Sequence, residues 1–128
     1  MAIQIKRVAA ATLSVILFGC GNSEGNDIKS AQAAVSQKLK DPGSAQYGKA
    51  FVAPASESSE TYANLRYVCG DVNAKNSFGG YTGATRYKVL LAEPAKGGGT
   101  QVLYTEMEAQ PNDHIFTQVW WNNGCKST

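Results

Sequence analysis

No hydrophobic run in this 128-residue chain is long enough to cross a bilayer. The uncharged, mostly apolar stretch at residues 8–18 would rise about 1.5 Å per residue as a helix, well short of the ~30 Å hydrocarbon core. Histidine is almost missing: His114 stands alone, so the clustered imidazole, thiolate and carboxylate ligands of a metal site are lacking. There is no G-x-x-x-x-G-K-S/T loop, and Gly79-Gly80 lacks the strand-to-helix setting of a phosphate cradle. Ser-x-x-Lys does not occur. Paired carboxylates can do acid–base work, but Glu106 and Glu108, at a strand end, read as solvated. With no nucleophile, metal set or cofactor loop, the expectation is a non-enzyme that needs no cofactor.

The N-terminus supplies the strongest positive signal. Lys6 and Arg7 precede the apolar stretch, and "LFGC" (Leu17, Phe18, Gly19, Cys20) follows it. Length, basic start and small residue fit a cleaved leader. The segment resembles the bacterial lipobox, with Phe18 bulkier than the usual residue there. That resemblance implies cleavage before Cys20 and a diacylglyceryl group on its sulfur, which at about 0.8 kcal/mol per buried methylene anchors the chain to a membrane. Gly21 in place of aspartate favours the outer membrane, facing the periplasm. The competing readings are an ordinary secreted protein or a free thiol in a cleavable tail. The expected organisation is a leader at 1–19, a lipidated cysteine and flexible tether at 20–26, and one small domain at 27–128.

Loss of Lys6 and Arg7 leaves ten basic against ten acidic residues. No basic run survives, so nucleic acid is an unsuitable partner. With Cys20 assigned to lipid, Cys69 and Cys125 remain, and in an oxidising envelope they are expected to pair.

Ile28, Ala31, Val35 and Leu39 fall three or four apart, which predicts a helix over 27–40 capped by Asn26 or Asp27 and stopped by Asp41-Pro42-Gly43. Strands are expected at 45–52, 61–72, 85–91 and 100–107. In the third, Tyr87, Val89 and Leu91 alternate with Arg86 and Lys88 as in a half-buried strand, and the turn at 93–99 makes a hairpin with the fourth. Residues 113–123 fit a helix capped by Asp113, with Phe116, Val119 and Trp120 inward and Gly124 as terminator, or else a strand. The expected fold is α+β: an N-terminal helix and a C-terminal helix (or strand) packed on a small antiparallel sheet of about four strands.

Between the second and third strands lies "CGDVNAKNSFGGYTG", residues 69–83. Asn73, Lys75, Asn76 and Ser77 offer donors and acceptors, Phe78 and Tyr81 offer stacking faces, and Gly79 and Gly80 permit close approach to a ligand. The same residues also suit a self-satisfied turn: Gly70, Gly79, Gly80 and Gly83 permit positive φ, and Asn73 and Asn76 tolerate it. The residues by themselves favour the turn.

"LKDPGSAQY" followed by "VCGDVNAKNSFGGYTG" resembles a family of small proteobacterial and prophage-encoded proteins with a lipoprotein or signal start. In that pattern Arg86 stands on the following strand, with Tyr87 where phenylalanine is usual, and Trp120 or Trp121 with Cys125 close the domain. The resemblance implies envelope localisation and the disulfide, and carries no established activity. Three functions follow as expectations. The first is an envelope-anchored binding or accessory lipoprotein, with Asn73, Lys75–Tyr81 and Arg86 meeting a protein or glycan partner. A superinfection-exclusion or inhibitor role is one subtype, and "TGATRY" is faintly like the inhibitory loop of small lysozyme-inhibiting lipoproteins. The second is a structural domain with no ligand at the loop. The third is a cell-envelope hydrolase, which requires His114, Glu106 and a loop hydroxyl in one cleft.

Overall fold

The computed structural model describes residues 23–126; the leader, Cys20 and Gly21 lie outside them. No helix among the described residues is long and apolar enough to cross a membrane. The fold is α+β, as expected. Helix α1 (Ser23–Ser36) precedes a four-stranded antiparallel meander of β1 (Gln46–Pro54), β2 (Tyr62–Asn73), β3 (Thr85–Pro94) and β4 (Gln101–Met107), ordered β1-β2-β3-β4. A closing helix, α2 (His114–Phe116), continues directly into a π-helical turn over Thr117–Trp121.

Two clusters form the core, one on each sheet face. Ala31 and Val35 of α1 pack on Val68, Val72, Tyr87, Val89 and Leu91, with Ile28 and Leu39 against them. The apolar stripe read from the sequence is therefore the buried one. Its boundaries differ: α1 spans 23–36, so residues 23–26 are helical and the flexible tether does not extend through them. Asp27 caps nothing. It is buried inside the helix, where Arg66 donates Nε–H to one carboxylate oxygen (2.6 Å) and Nη2–H to the other (2.7 Å). Arg66 also bridges to Glu93, and these bonds hold the Glu93 carboxyl below the usual carboxylate range. The helix ends four residues early, where the Ser36 hydroxyl donates to the Ala33 carbonyl (2.7 Å) and the chain leaves through a turn in which Lys38 N–H bonds the Val35 carbonyl (2.9 Å).

The second cluster joins Tyr67, Cys69, Leu90 and Cys125. Cys69 and Cys125 form the expected disulfide, with Cα atoms 5.7 Å apart across a separation of 56 residues. Closing a loop of that length contributes about 4 kcal/mol in the chain-entropy description. Because the C-terminal helix covers this face, β3 is buried on both sides and not half-buried. Lys88 is 2 % exposed. Its ammonium lies 3.8 Å from the centre of the Tyr67 ring and donates to the Trp120 and Asn123 carbonyls at the end of the closing helix. Burial pushes its pKa below the ordinary lysine value, with Glu57 opposing.

Within 113–123 the helical reading holds over His114–Trp121, and Asp113 caps it by accepting from Ile115 N–H (2.9 Å) and Phe116 N–H (3.1 Å). The inward face is not Phe116, Val119 and Trp120. The π turn widens the spacing to five residues, so Phe116 is followed inward by Trp121 while Val119 stays exposed. Gly124, at φ +119°, ends the helix against the Tyr67 ring.

Candidate functional site

The connection between β2 and β3 is a loop that hydrogen-bonds to itself. Asn73 belongs to β2, paired with Gln46, and its side-chain oxygen is buried, so it is not displayed. Beyond it, Lys75 and Tyr81 form an isolated antiparallel bridge that narrows the neck. Inside the neck, Asn76 N–H bonds the Gly80 carbonyl (2.9 Å) and Gly79 N–H bonds the Asn76 carbonyl (3.0 Å). The Asn76 side-chain oxygen accepts from Phe78 N–H (2.9 Å) and Gly80 N–H (3.2 Å), the local bonding at which asparagine excels in turns. Gly79 (φ +82°) and Gly83 (φ +102°) occupy the left-handed region. Gly70 and Gly80 do not, contrary to expectation. Gly70 is instead excluded from carrying a side chain, because a Cβ there would lie 2.5 Å from the Tyr87 hydroxyl.

Two further bonds fasten the loop to the turn after α1. The Tyr81 hydroxyl donates to the Ser44 carbonyl (2.9 Å), and Lys75 N–H donates to the Ser44 hydroxyl (2.8 Å). The Lys75 ammonium rests 5.7 Å from the Tyr81 ring centre. What the braces hold up is Phe78, 97 % exposed, beside exposed Ser77 and the half-exposed Tyr81. A large apolar ring carried so far into water contributes nothing to the core.

A cleft of about 350 Å³ lies between this loop and the chain that follows α1. Lys38 and Lys40 from the chain after α1 and Lys75, Asn76, Thr82 and Gly83 from the loop line it, with Leu39, Val72 and Met107 supplying apolar surface and Glu106 and Glu108 also in the lining.

No family model, curated protein or solved structure matches the chain. Chemistry at the site is therefore read from its own residues.

Arg86 does not join the loop. It donates Nε–H to Glu108 (2.9 Å) and a second bond from Nη2, and its guanidinium lies 4.9 Å from the Trp121 ring centre and 5.7 Å from that of Phe116. Glu108 is not solvated as expected: it is 6 % exposed and also accepts from the Arg86 backbone N–H (2.6 Å). This pair fastens the closing helix to the sheet, because Arg86 reaches the Thr117 hydroxyl as well. Glu106 lines the cleft, whereas His114 lies outside its lining and contacts Gln118 at 3.3 Å. The structure thus does not bring together the His114–Glu106 arrangement that a hydrolase reading requires. No group of three or more metal-ligating side chains occurs among the described residues.

The loop set read from the sequence divides into three parts. Asn76, Gly79 and Tyr81 brace; Ser77, Phe78 and Lys75 are presented; Asn73 and Arg86 belong to the scaffold. Lys38, Lys40 and Ser44 were missed as neighbours of the loop. The helix pattern through residue 40 hid the two lysines, and only the early stop at Ser36 turns them toward the cleft.

Proposed function

We propose that the chain is a non-enzymatic binding module of the cell envelope, anchored through lipid on Cys20 and facing the periplasm, with the 74–84 loop contacting a protein or glycan partner. A prophage-derived exclusion or inhibitor protein is one form such a module takes. The observation that carries the reading is Phe78, almost fully exposed on a loop whose tip is hydrogen-bonded through Asn76. Interface hot spots are apolar or aromatic anchors, and a rigid carrier lowers the entropy lost on binding. A loop serving only to connect β2 to β3 needs neither the ring nor its exposure.

Affinity capture from detergent-solubilised envelopes, using wild type and Phe78→Ala, tests the loop. Sedimentation with cell-wall sacculi tests a glycan partner in the same pair. The expected result is loss of the captured partner with an unchanged melting temperature. Identical capture by both proteins would overturn it. Intact mass of the mature protein tests the anchor separately, since Cys20→Ser should lose both the lipid mass and membrane association.

A further inference from the structure

We infer that the cleft between the end of α1 and the 74–84 loop is an anion-binding site whose occupant is a carboxylate of an acidic protein segment. This rests on the proposal that the loop recognises a partner and names the chemistry of that partner. Every ion pair among the described residues uses an arginine: Arg66 with Asp27 and Glu93, Arg86 with Glu108. Lys38, Lys40 and Lys75 all line the cleft, and none of them forms an ion pair among the described residues. Glu108 is committed to Arg86, so among the described residues Glu106 is the one lining carboxylate outside an ion pair, against three lining lysines. A mature chain of balanced charge thus concentrates positive charge at one concave place.

The cleft's size, about 350 Å³, is at the small end of ligand pockets and suits one or two inserted side chains. Leu39, Val72 and Met107 accept the apolar part of such a side chain. The loop wall is already fixed by its bonds to Ser44, so little ordering accompanies binding.

The position of the cleft decides between a lipid headgroup and a protein acid. Helix α1 starts at Ser23, and its first turn lies beside Asn64, Arg66 and Glu93 at one end of the sheet. Its 14 residues run about 21 Å at 1.5 Å per residue, and the chain beyond them lines the cleft at the other end. An anchor on Cys20 is tied by two residues to the first end, away from the cleft. Phe78 stands on the loop that walls the cleft, so a protein surface bearing an acid beside an apolar hollow meets both features.

The full lipidated chain in phosphatidylcholine nanodiscs can be titrated with hexaglutamate while amide resonances are followed by NMR. Saturable shifts are expected at Lys38, Lys40, Lys75 and Thr82, weakening with salt. Affinity should fall about tenfold in Lys38→Gln/Lys40→Gln, taking each exposed charge contact as worth up to ~1 kcal/mol. Absence of shifts, or equal affinity in the double variant with its melting temperature intact, would overturn the anion site. Shifts at the same amides on placing the protein in phosphatidylglycerol nanodiscs without peptide would overturn the protein occupant in favour of lipid. Failure of the loop reading is seen independently, as capture that survives Phe78→Ala.

Discussion

Replacing Glu108 with alanine should destabilise the domain by about 3 kcal/mol, while replacing Glu106 should cost under about 0.5 kcal/mol. The two acids stand two residues apart at the end of β4, and the sequence gives no reason to separate them. Glu108 accepts from Arg86 Nε, Nη2 and backbone N–H and has a side chain 1 % exposed; Arg86 retains 25 %. Breaking one partner from a buried pair typically costs about 3–5 kcal/mol because a charge is left uncompensated. The lower end applies here, since water still screens part of the guanidinium. Glu106 makes no ion pair among the described residues, and surface changes of that kind stay within about 0.5 kcal/mol. Against a total stability of about 5–15 kcal/mol, the Glu108→Ala loss corresponds to a melting temperature lower by roughly 10–20 °C. Urea unfolding of the oxidised protein at neutral pH, with the slope unchanged, measures it. The double variant Arg86→Met/Glu108→Ala should recover part of the loss, because no unpaired charge remains. A Glu108→Ala cost below about 1 kcal/mol, or a double variant less stable than the sum of the singles, would refute the reasoning.

Gly124→Ala places a Cβ 2.3 Å from the Tyr67 ring at a φ of +119°; a loss of roughly 2 kcal/mol or more in thermal melts is expected from overpacking and backbone strain together. Cys69→Ala/Cys125→Ala should cost about 4 kcal/mol from the opened loop, with reducing agent lowering the wild-type melting temperature and leaving the variant unchanged. The pH profile follows from Glu93, whose carboxyl is depressed chiefly by the Arg66 hydrogen bonds, with burial opposing. A depressed acid contributes its full stabilisation above the unfolded value of about 4.3 and loses it as pH falls through the lower folded value. Glu93→Gln should therefore flatten the acid limb of the stability curve below about pH 4, and an unchanged limb would contradict the assignment. Asn76→Ala removes two acceptor bonds at the loop, so hydrogen exchange at Phe78 and Gly80 amides should accelerate even where global stability changes little.

The four strands and the buried stripe of α1 were legible because each rests on a period of local residues. Val35 is buried for the same reason that it repeats from Ala31. What escaped was governed by partners distant in sequence. Asp27 reads as a helix cap until Arg66, 39 residues on, pulls its carboxylate inward. Lys88 alternates with apolar neighbours and so reads as solvent-facing. It is buried because the closing helix offers two terminal carbonyls and Tyr67 offers a ring. The π turn defeats a 3.6-residue period directly, exchanging Trp120 for Trp121 at the inward face. At the loop the difficulty is of another kind, since asparagine, glycine and tyrosine have the same composition whether they brace or bind. Bond geometry separates them: Asn76 spends its side-chain oxygen on two backbone amides and Tyr81 its hydroxyl on Ser44, while Phe78 touches water on nearly all of its surface. The Phe78 side chain takes no part in the loop's hydrogen bonds, so a binding defect in Phe78→Ala would report recognition and not folding.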